Sequence, residues 1–211
     1  MKNNIKIMCS YISLLCIFTG SFLATSIQAQ SIAYIPQVSN KTIINQSGNG
    51  SLANVKQSGN KNISIINQSG GKNKSIITQA GNNNVANVSQ TGANYDDLSN
   101  IAEIAQKGEF NVANLNQSGG VIMPNIAKIT QNGDNNLSNV SQSGDDNKID
   151  LKQDGNDNQA NLSQDGNHNA ISAEQAGGIN SLNWQQNGDA NPDLFIKQTG
   201  GASATIIQNG S

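Results

Sequence analysis

Gln79-Ala80-Gly81-Asn82-Asn83-Asn84-Val85-Ala86-Asn87-Val88-Ser89-Gln90 is the stretch on which the reading of this chain turns, because almost everything after residue 40 is a variation of it. Gln-x-Gly recurs with its Gln at 46, 57, 68, 79, 90, 106, 117, 131, 142, 153, 164, 175, 186, 198 and 208, and ten of the fourteen intervals equal that from Gln79 to Gln90. A short fixed period marks a stacked, quasi-one-dimensional architecture in which each unit contacts only its neighbours.

Inside the unit the order is finer. Reading back from Gln, the pattern is an apolar residue two before it, in most units a small residue four before it, and in most units Asn six before it. Alternate side chains of a strand point the same way, so Asn84, Ala86, Val88 and Gln90 share one face, while Val85, Asn87 and Ser89 share the other. The position two before Gln is apolar in all fifteen units, with Ala173 its one small residue and Trp184 its one aromatic. That face is the buried one.

An apolar spacing of two, with Gly and neighbouring Asn or Asp in each unit, excludes a helical account. Seven residues from Asn to Gln span roughly 23 Å as a strand, and x-Gly-x-x supplies a turn in which Gly takes positive φ. The expected fold is therefore all-β: a β-solenoid or cross-β stack of strand-arc-strand layers, two strands per 22 residues, about seven layers. Numbering strands by their closing Gln, the long intervals 90 to 106, 117 to 131 and 186 to 198 all run from an odd strand to an even one. The extra residues, around Asn94 to Asp97, Val121 to Met123 and Asn191 to Asp193, are thus expected to bulge on one lateral edge.

Residues 1–29 pair Lys2 and Lys6 with an apolar run from Ile12 to Leu23 and a cleavage-like Ile27-Gln28-Ala29, which reads as a secretion signal peptide. The run is about half the roughly 20 residues of a membrane span. Cys9 and Cys16 both fall in that segment, so the exported chain is expected to hold no disulfide. Residues 30–39, with Pro36, are expected to be a flexible N-terminal leader, and 40–211 the repeat β-solenoid. The repeats run on to Gln208-Asn209-Gly210-Ser211 without a capping segment. Strands Asn40 to Gln46 and Ala202 to Gln208 are accordingly expected to be open edges, suited to end-to-end stacking.

Residues 30–211 hold ten Lys and no Arg against fourteen Asp or Glu, a net charge of about −4. Nucleic acid is not an expected partner, since phosphate binding needs a clustered positive field. Hydrophobic content is 35%, below the usual 45–50%. With so low a charge and so much Asn and Gln, the composition is that of a polar chain prone to β-assembly. His168 sits alone in the turn Gly166-Asn167-His168-Asn169. Asp145, Asp146, Asp150, Asp154, Asp157 and Asp165 lack the nonapeptide of calcium β-rolls, and read as charges that temper premature stacking. No nucleophile constellation or metal-spaced ligand set occurs, so no enzyme, cofactor or small-molecule substrate is expected.

Gln-x-Gly-x-x-Asn-x-Ala-x-x-x-Gln, as in Gln79 to Gln90, Gln106 to Gln117 (with Asn111 and Ala113) and Gln153 to Gln164 (with Asn158 and Ala160), resembles the repeat of the curlins, the subunits of bacterial curli fibres. The resemblance covers residues 40 to 208, with Asn giving way to Ser51, Pro192 and Ala202. It implies a curli fibre subunit of the major or the minor, nucleating type. It also implies secretion through an outer-membrane pore with accessory factors, self-assembly with other curlin-type subunits into extracellular amyloid on the cell surface, and roles in biofilm matrix, adhesion and aggregation.

The amides have a physical reason apart from the family. Two sheets facing each other bury a primary amide at both ends of each strand, and a buried amide without partners costs roughly 1–3 kcal/mol. Identical amides stacked at about 4.8 Å can bond one another along the axis. The expected ladder is Gln46, Gln57, Gln68, Gln79, Gln90, Gln106, Gln117, Gln131, Gln142, Gln153, Gln164, Gln175, Gln186, Gln198 and Gln208. Opposite it stand Asn62, Asn73, Asn84, Asn100, Asn111, Asn125, Asn136, Asn147, Asn158, Asn169 and Asn180. The competing class is a monomeric β-solenoid adhesin or ice-binding module; the mixed outward residues Asn54, Ile65, Ile76, Asn87 and Glu103 lack the Thr rows of ice binders.

Overall fold

The structure, a computed structural model, describes residues 7–9, 22–25, 30–34, 39–92, 100–120 and 122–210. Its strands in chain order are β1 (Ile7–Cys9), β2 (Phe22–Thr25), β3 (Gln30–Tyr34), β4 (Lys41–Ser47), β5 (Leu52–Ser58) and β6 (Ile63–Ser69). Next come β7 (Lys74–Asn82), β8 (Val85–Thr91), β9 (Asn100–Glu109), β10 (Val112–Gly119), β11 (Asn125–Asn132) and β12 (Leu137–Gly144). The last six are β13 (Lys148–Asp154), β14 (Gln159–Asp165), β15 (Ala170–Ala176), β16 (Ser181–Asn187), β17 (Leu194–Thr199) and β18 (Ser203–Asn209).

Odd strands form one nine-stranded sheet and even strands the other, each in strict order. Every pair is parallel except β1 with β3. The chain thus winds as a β-solenoid, all-β among the described residues, a regular turn carrying it from Gln46 to Gln68 in the layer above. Counting β3 with β4 as the first turn gives eight turns rather than about seven. The count rises because Gln30–Tyr34, inside the segment expected to be a flexible leader, pairs in parallel with β5. Likewise β2 pairs with β4. Here β4 has neighbours on both sides, which corrects the expectation that the first repeat strand is an open edge; among the described residues β18 borders β16 alone.

Register follows the repeat: Gln79 sits on Gln106 and Gln90 on Gln117, although the path between them is longer than the regular turn from Gln46 to Gln68. The three long arcs, β8 to β9, β10 to β11 and β16 to β17, all cross from even sheet to odd and so lie on one edge. Of them, Asn94 to Asp97 and Val121 lie outside the described residues, and Ile122 is 80% exposed.

Burial alternates as the pattern requires. In β8, Ala86, Val88 and Gln90 are buried while Val85, Asn87 and Ser89 are not. The core is a single column of Ile, Val, Leu and Ala with Trp184 at one layer. Trp184 is fully buried, and its Nε1–H donates to Gln208 Oε1 at 2.9 Å, which satisfies the one polar group its ring brings inside.

The arcs are as ordered as the strands. Their backbones bond layer to layer, as in Gly155 N–H to Asn132 O and Asp157 N–H to Asp134 O, both 2.9 Å. The expected positive-φ Gly stands two after Gln. At Gly155, φ is +122° and a Cβ would fall onto the carbonyl oxygen of Gly177 in the next layer, so the glycine column also sets how closely arcs stack. A second left-handed position, four after Gln, is not announced by the repeat; it is occupied by Lys61, Lys72, Asn83, Phe110, Asn135, Asp146, Asp157, His168, Ile179 and Ala190. Asn and Asp tolerate this conformation, whereas a β-branched residue does not.

Ile179, at φ 61° and 73% exposed, therefore carries strain without burial to offset it. Ile179→Asn is expected to raise the denaturant midpoint by the equivalent of ~1 kcal/mol, and Gly155→Ala to lower it sharply. An Ile179→Asn chain no more stable than its parent would remove the strain argument.

Ala173 and Trp184 occupy equivalent inward positions on consecutive strands of opposite sheets, so their volumes are expected to compensate. Ala173→Leu should cost ~1–3 kcal/mol by overpacking, partly relieved by Trp184→Val. Strict additivity in the double-mutant cycle would show that the two do not share a layer's volume.

Candidate functional site

A Gln side chain has two N–H groups to place and a carbonyl oxygen to satisfy, and in this fold it is fixed at the end of each strand's inward face. The fifteen Gln form two unbroken columns. In the even sheet Nε2 of Gln46, Gln68, Gln90, Gln117, Gln142, Gln164 and Gln186 each donates to Oε1 of the next Gln, ending at Gln208, at 2.6–2.9 Å. In the odd sheet Gln57, Gln79, Gln106, Gln131, Gln153 and Gln175 do the same, ending at Gln198, at 2.8–2.9 Å.

The second N–H crosses to the other sheet. Gln79 donates to Ile63 O at 3.0 Å, Gln153 to Leu137 O at 3.0 Å and Gln175 to Gln159 O at 2.8 Å, each acceptor being the first residue of the preceding strand. One amide thus ties layer to layer and sheet to sheet. Some small inward residues join in: Ser64 Oγ donates to Gln79 Oε1 at 2.8 Å, Ser75 Oγ to Gln90 Oε1 at 2.6 Å and Thr42 Oγ1 to Gln57 Oε1 at 3.0 Å. The sequence marks these positions only as small.

The Asn columns run the other way. Nδ2 of Asn84, Asn111, Asn136, Asn158 and Asn180 donates back to Oδ1 of the Asn one layer nearer the N-terminus, at 2.8–3.0 Å. Asn100, Asn125 and Asn147 do so at 3.1 Å, back to Asn73, Asn100 and Asn125. Asn62 and Asn169 reach back with the backbone N–H, to Asn40 at 2.9 Å and Asn147 at 3.2 Å. The column residues Asn111, Asn125, Asn136, Asn147, Asn158 and Asn169 also donate to a turn-glycine carbonyl, as Asn158 does to Gly177 at 3.0 Å.

All the expected ladder residues are therefore in the two pairs of columns, save that Gln208, at the last layer, is only partly buried. Two further members extend them. Asn40 opens one column, and Asn191, 3% exposed, donates to Asn169 Oδ1 at 2.8 Å. Asn191 corrects the reading of Pro192 as the unit's Asn position: the longer interval from Gln186 to Gln198 places the amide seven before Gln198, and a count of six passes over it.

Where the columns stop, polar atoms are left over. Asn191 Oδ1 and Ser51 Oγ are buried and without a partner among the described residues. Asn191 Oδ1 points on past the last Asn of its column, where an N–H of one more layer would donate.

The acidic residues do not assemble. Asp145 and Asp146 lie on one edge, Asp157 on the other, and Asp150 and Asp154 on the odd sheet. Among the described residues no group of three or more His, Cys, Asp or Glu could hold a metal ion. His168 is exposed, its Nε2 3.7 Å from Asp146 Oδ2.

Replacing Gln131 by Leu orphans Gln106 Nε2 below and Gln153 Oε1 above, and frees the carbonyl of Val112. The expected loss is ~3 kcal/mol or more, against less than ~0.5 kcal/mol for outward Thr130→Ser. Equal denaturant midpoints for the two variants would mean that the inward amides carry no special weight.

The curlin-associated repeat is matched at residues 64–92 and 125–155, segments that contain Gln68, Gln79, Gln90 and Gln131, Gln142, Gln153. Comparison with curated proteins and with solved structures finds no match.

Proposed function

As a protein of curlin-associated repeats, this chain is, we propose, a secreted self-assembling subunit of a curli-type amyloid fibre on the bacterial surface, serving biofilm matrix, adhesion and aggregation. The observation that carries the reading is the unfinished state of the last turn. Among the described residues β18 has one neighbour, Ile196 and Ile206 are only partly covered, and Asn191 Oδ1 is buried and unpaired. An edge of this kind templates another strand.

The chemistry of the two ends is complementary. At the β17–β18 end the even Gln column finishes on the donor group of Gln208, and the odd Asn column on the acceptor Asn191 Oδ1. At the other end the even columns begin with Gln46 and Asn40, the Gln amides of that sheet donating away from this end and the Asn amides toward it. A second copy stacked head to tail places its β4 past β18 in the even sheet, which carries the even Gln column on from Gln208 to Gln46 in the same sense. On this reading, cleavage of residues 1–29 takes β2 away and leaves β4 with β6 as its only even-sheet partner. Passage through an outer-membrane pore with accessory factors belongs to the same proposal.

The chain beginning at Gln30, incubated in dilute buffer, is expected to give fibres with a reflection near about 4.7 Å along the axis. Ile206→Pro, which removes an N–H from the terminal strand, is expected to slow elongation of parent seeds several-fold. Ile122→Pro, in an exposed arc, should elongate as the parent does. A persistent monomer would favour the solitary adhesin instead, and normal elongation by Ile206→Pro would remove β18 as the growing edge.

A further inference from the structure

The two outer faces of the solenoid differ sharply in charge. The odd strands β5 to β17 hold twelve charged residues, among them Lys56, Glu103, Lys128, Asp150, Lys152 and Glu174, and the even strands β4 to β18 hold two. Those two, Lys41 and Asp165, stand at the first position of β4 and the last of β14, on the margins. The two central outward rows of the even sheet carry no charge over all eight strands. They are mainly Asn and Ser.

Several amides of those rows are already engaged along the axis, although Asn87 Oδ1 is buried without a partner among the described residues. Asn87 Nδ2 donates to Asn114 Oδ1 at 2.8 Å, Asn114 to Asn139 at 2.9 Å and Asn139 to Asn161 at 2.8 Å. In the neighbouring row Asn45 donates to Asn67 at 2.8 Å. Between the rows runs a shallow groove of about 360 Å³, lined by outward side chains such as Asn87, Ser89, Asn114, Asn116, Asn139 and Ser141. Drying such a face strips little from water: no ion loses its hydration, and many amide N–H groups keep their partners.

We propose that this even face is where two stacks of the same chain lie side by side in the fibre, leaving the charged odd faces in solvent. The inference rests on the assembly reading above. A second copy is the occupant this face favours for three reasons. It alone presents the same layer spacing over the whole length, so rows of small polar side chains meet grooves in phase, as in paired sheets of stacked identical strands. It brings no charge against a face that offers none. The area suffices too: eight strands at about 4.8 Å by roughly 23 Å of strand give about 900 Å² per copy, near the ~800 Å² per partner of a stable interface. Through the odd faces the same pairing would bury Lys152, Lys197 and Glu174, which already bridge one another at 3.3–3.6 Å in water.

The test is mass per length by scanning transmission electron microscopy. Fibres of the parent chain are expected to hold two chains per rise of about 38 Å, the span of eight layers at about 4.8 Å. Ser89→Lys combined with Gln185→Lys, both exposed on the even face, should halve that figure while seeded elongation keeps its rate. Thr78→Lys with Thr130→Lys on the odd face should leave it at two. Parent fibres one chain wide would overturn the pairing alone; no fibre at all would overturn the assembly reading and the pairing with it. Single parent fibres that bind a soluble neutral glucan, and lose it with the even-face lysines, would overturn the pairing in favour of a glycan on that face.

Discussion

A primary amide buried at the end of a strand has two donors and a carbonyl oxygen to satisfy, and no single layer can satisfy them. The nearest group of matching geometry is the same amide one layer away, at the spacing that backbone pairing already imposes. Most of the structure follows from that demand. The period must hold so that Gln meets Gln, and the arcs must stack as closely as the strands, which reserves a column for glycine. The apolar positions between the amides then form a continuous column. With Cys9 and Cys16 the chain's two cysteines, both ahead of the first repeat, the repeat region has this bonding in place of cross-links.

How much of this was legible in the sequence depended on whether a feature repeats. The buried face, the two sheets and the Gln columns are all written in the spacing of Gln, and one unit sufficed to read them. The second left-handed position was not legible, because residues as unlike as Asn83, Phe110 and Ile179 fill it: backbone stacking imposes the conformation whatever the side chain. Asn191 was missed for a related reason. Its place is set by the amide above it and not by distance to Gln198, and a one-residue insertion before β17 separates the two. The partnership of Ser64 and Ser75 with Gln lay hidden in a position that Ala also fills. Strand β3 closes on no Gln-x-Gly, so the repeat that announces the other strands begins only at residue 40.

The arcs show where such a fold gives way. All three long connections pass on the edge where even strands lead to odd, and across the two arcs that open onto β9 and β11 the partner strands keep register through Gln on Gln. Extra residues leave the stack at solvent-exposed points such as Ile122. Strand length and the face of the Gln vary far less, since a shift of one residue would turn the amides outward and the charges inward.

The opposed sense of the Gln and Asn columns has an electrostatic consequence. In an α-helix every peptide dipole points the same way, and partial charges of opposite sign appear at the two ends. Here each layer adds side-chain amides that point toward the C-terminal end of the stack, and others that point toward the N-terminal end, while the strand dipoles of the sheets contribute only a small net moment. The inward Gln and Asn amides offset one another layer by layer, so the buried columns of an added layer contribute little to any potential between the ends of the stack.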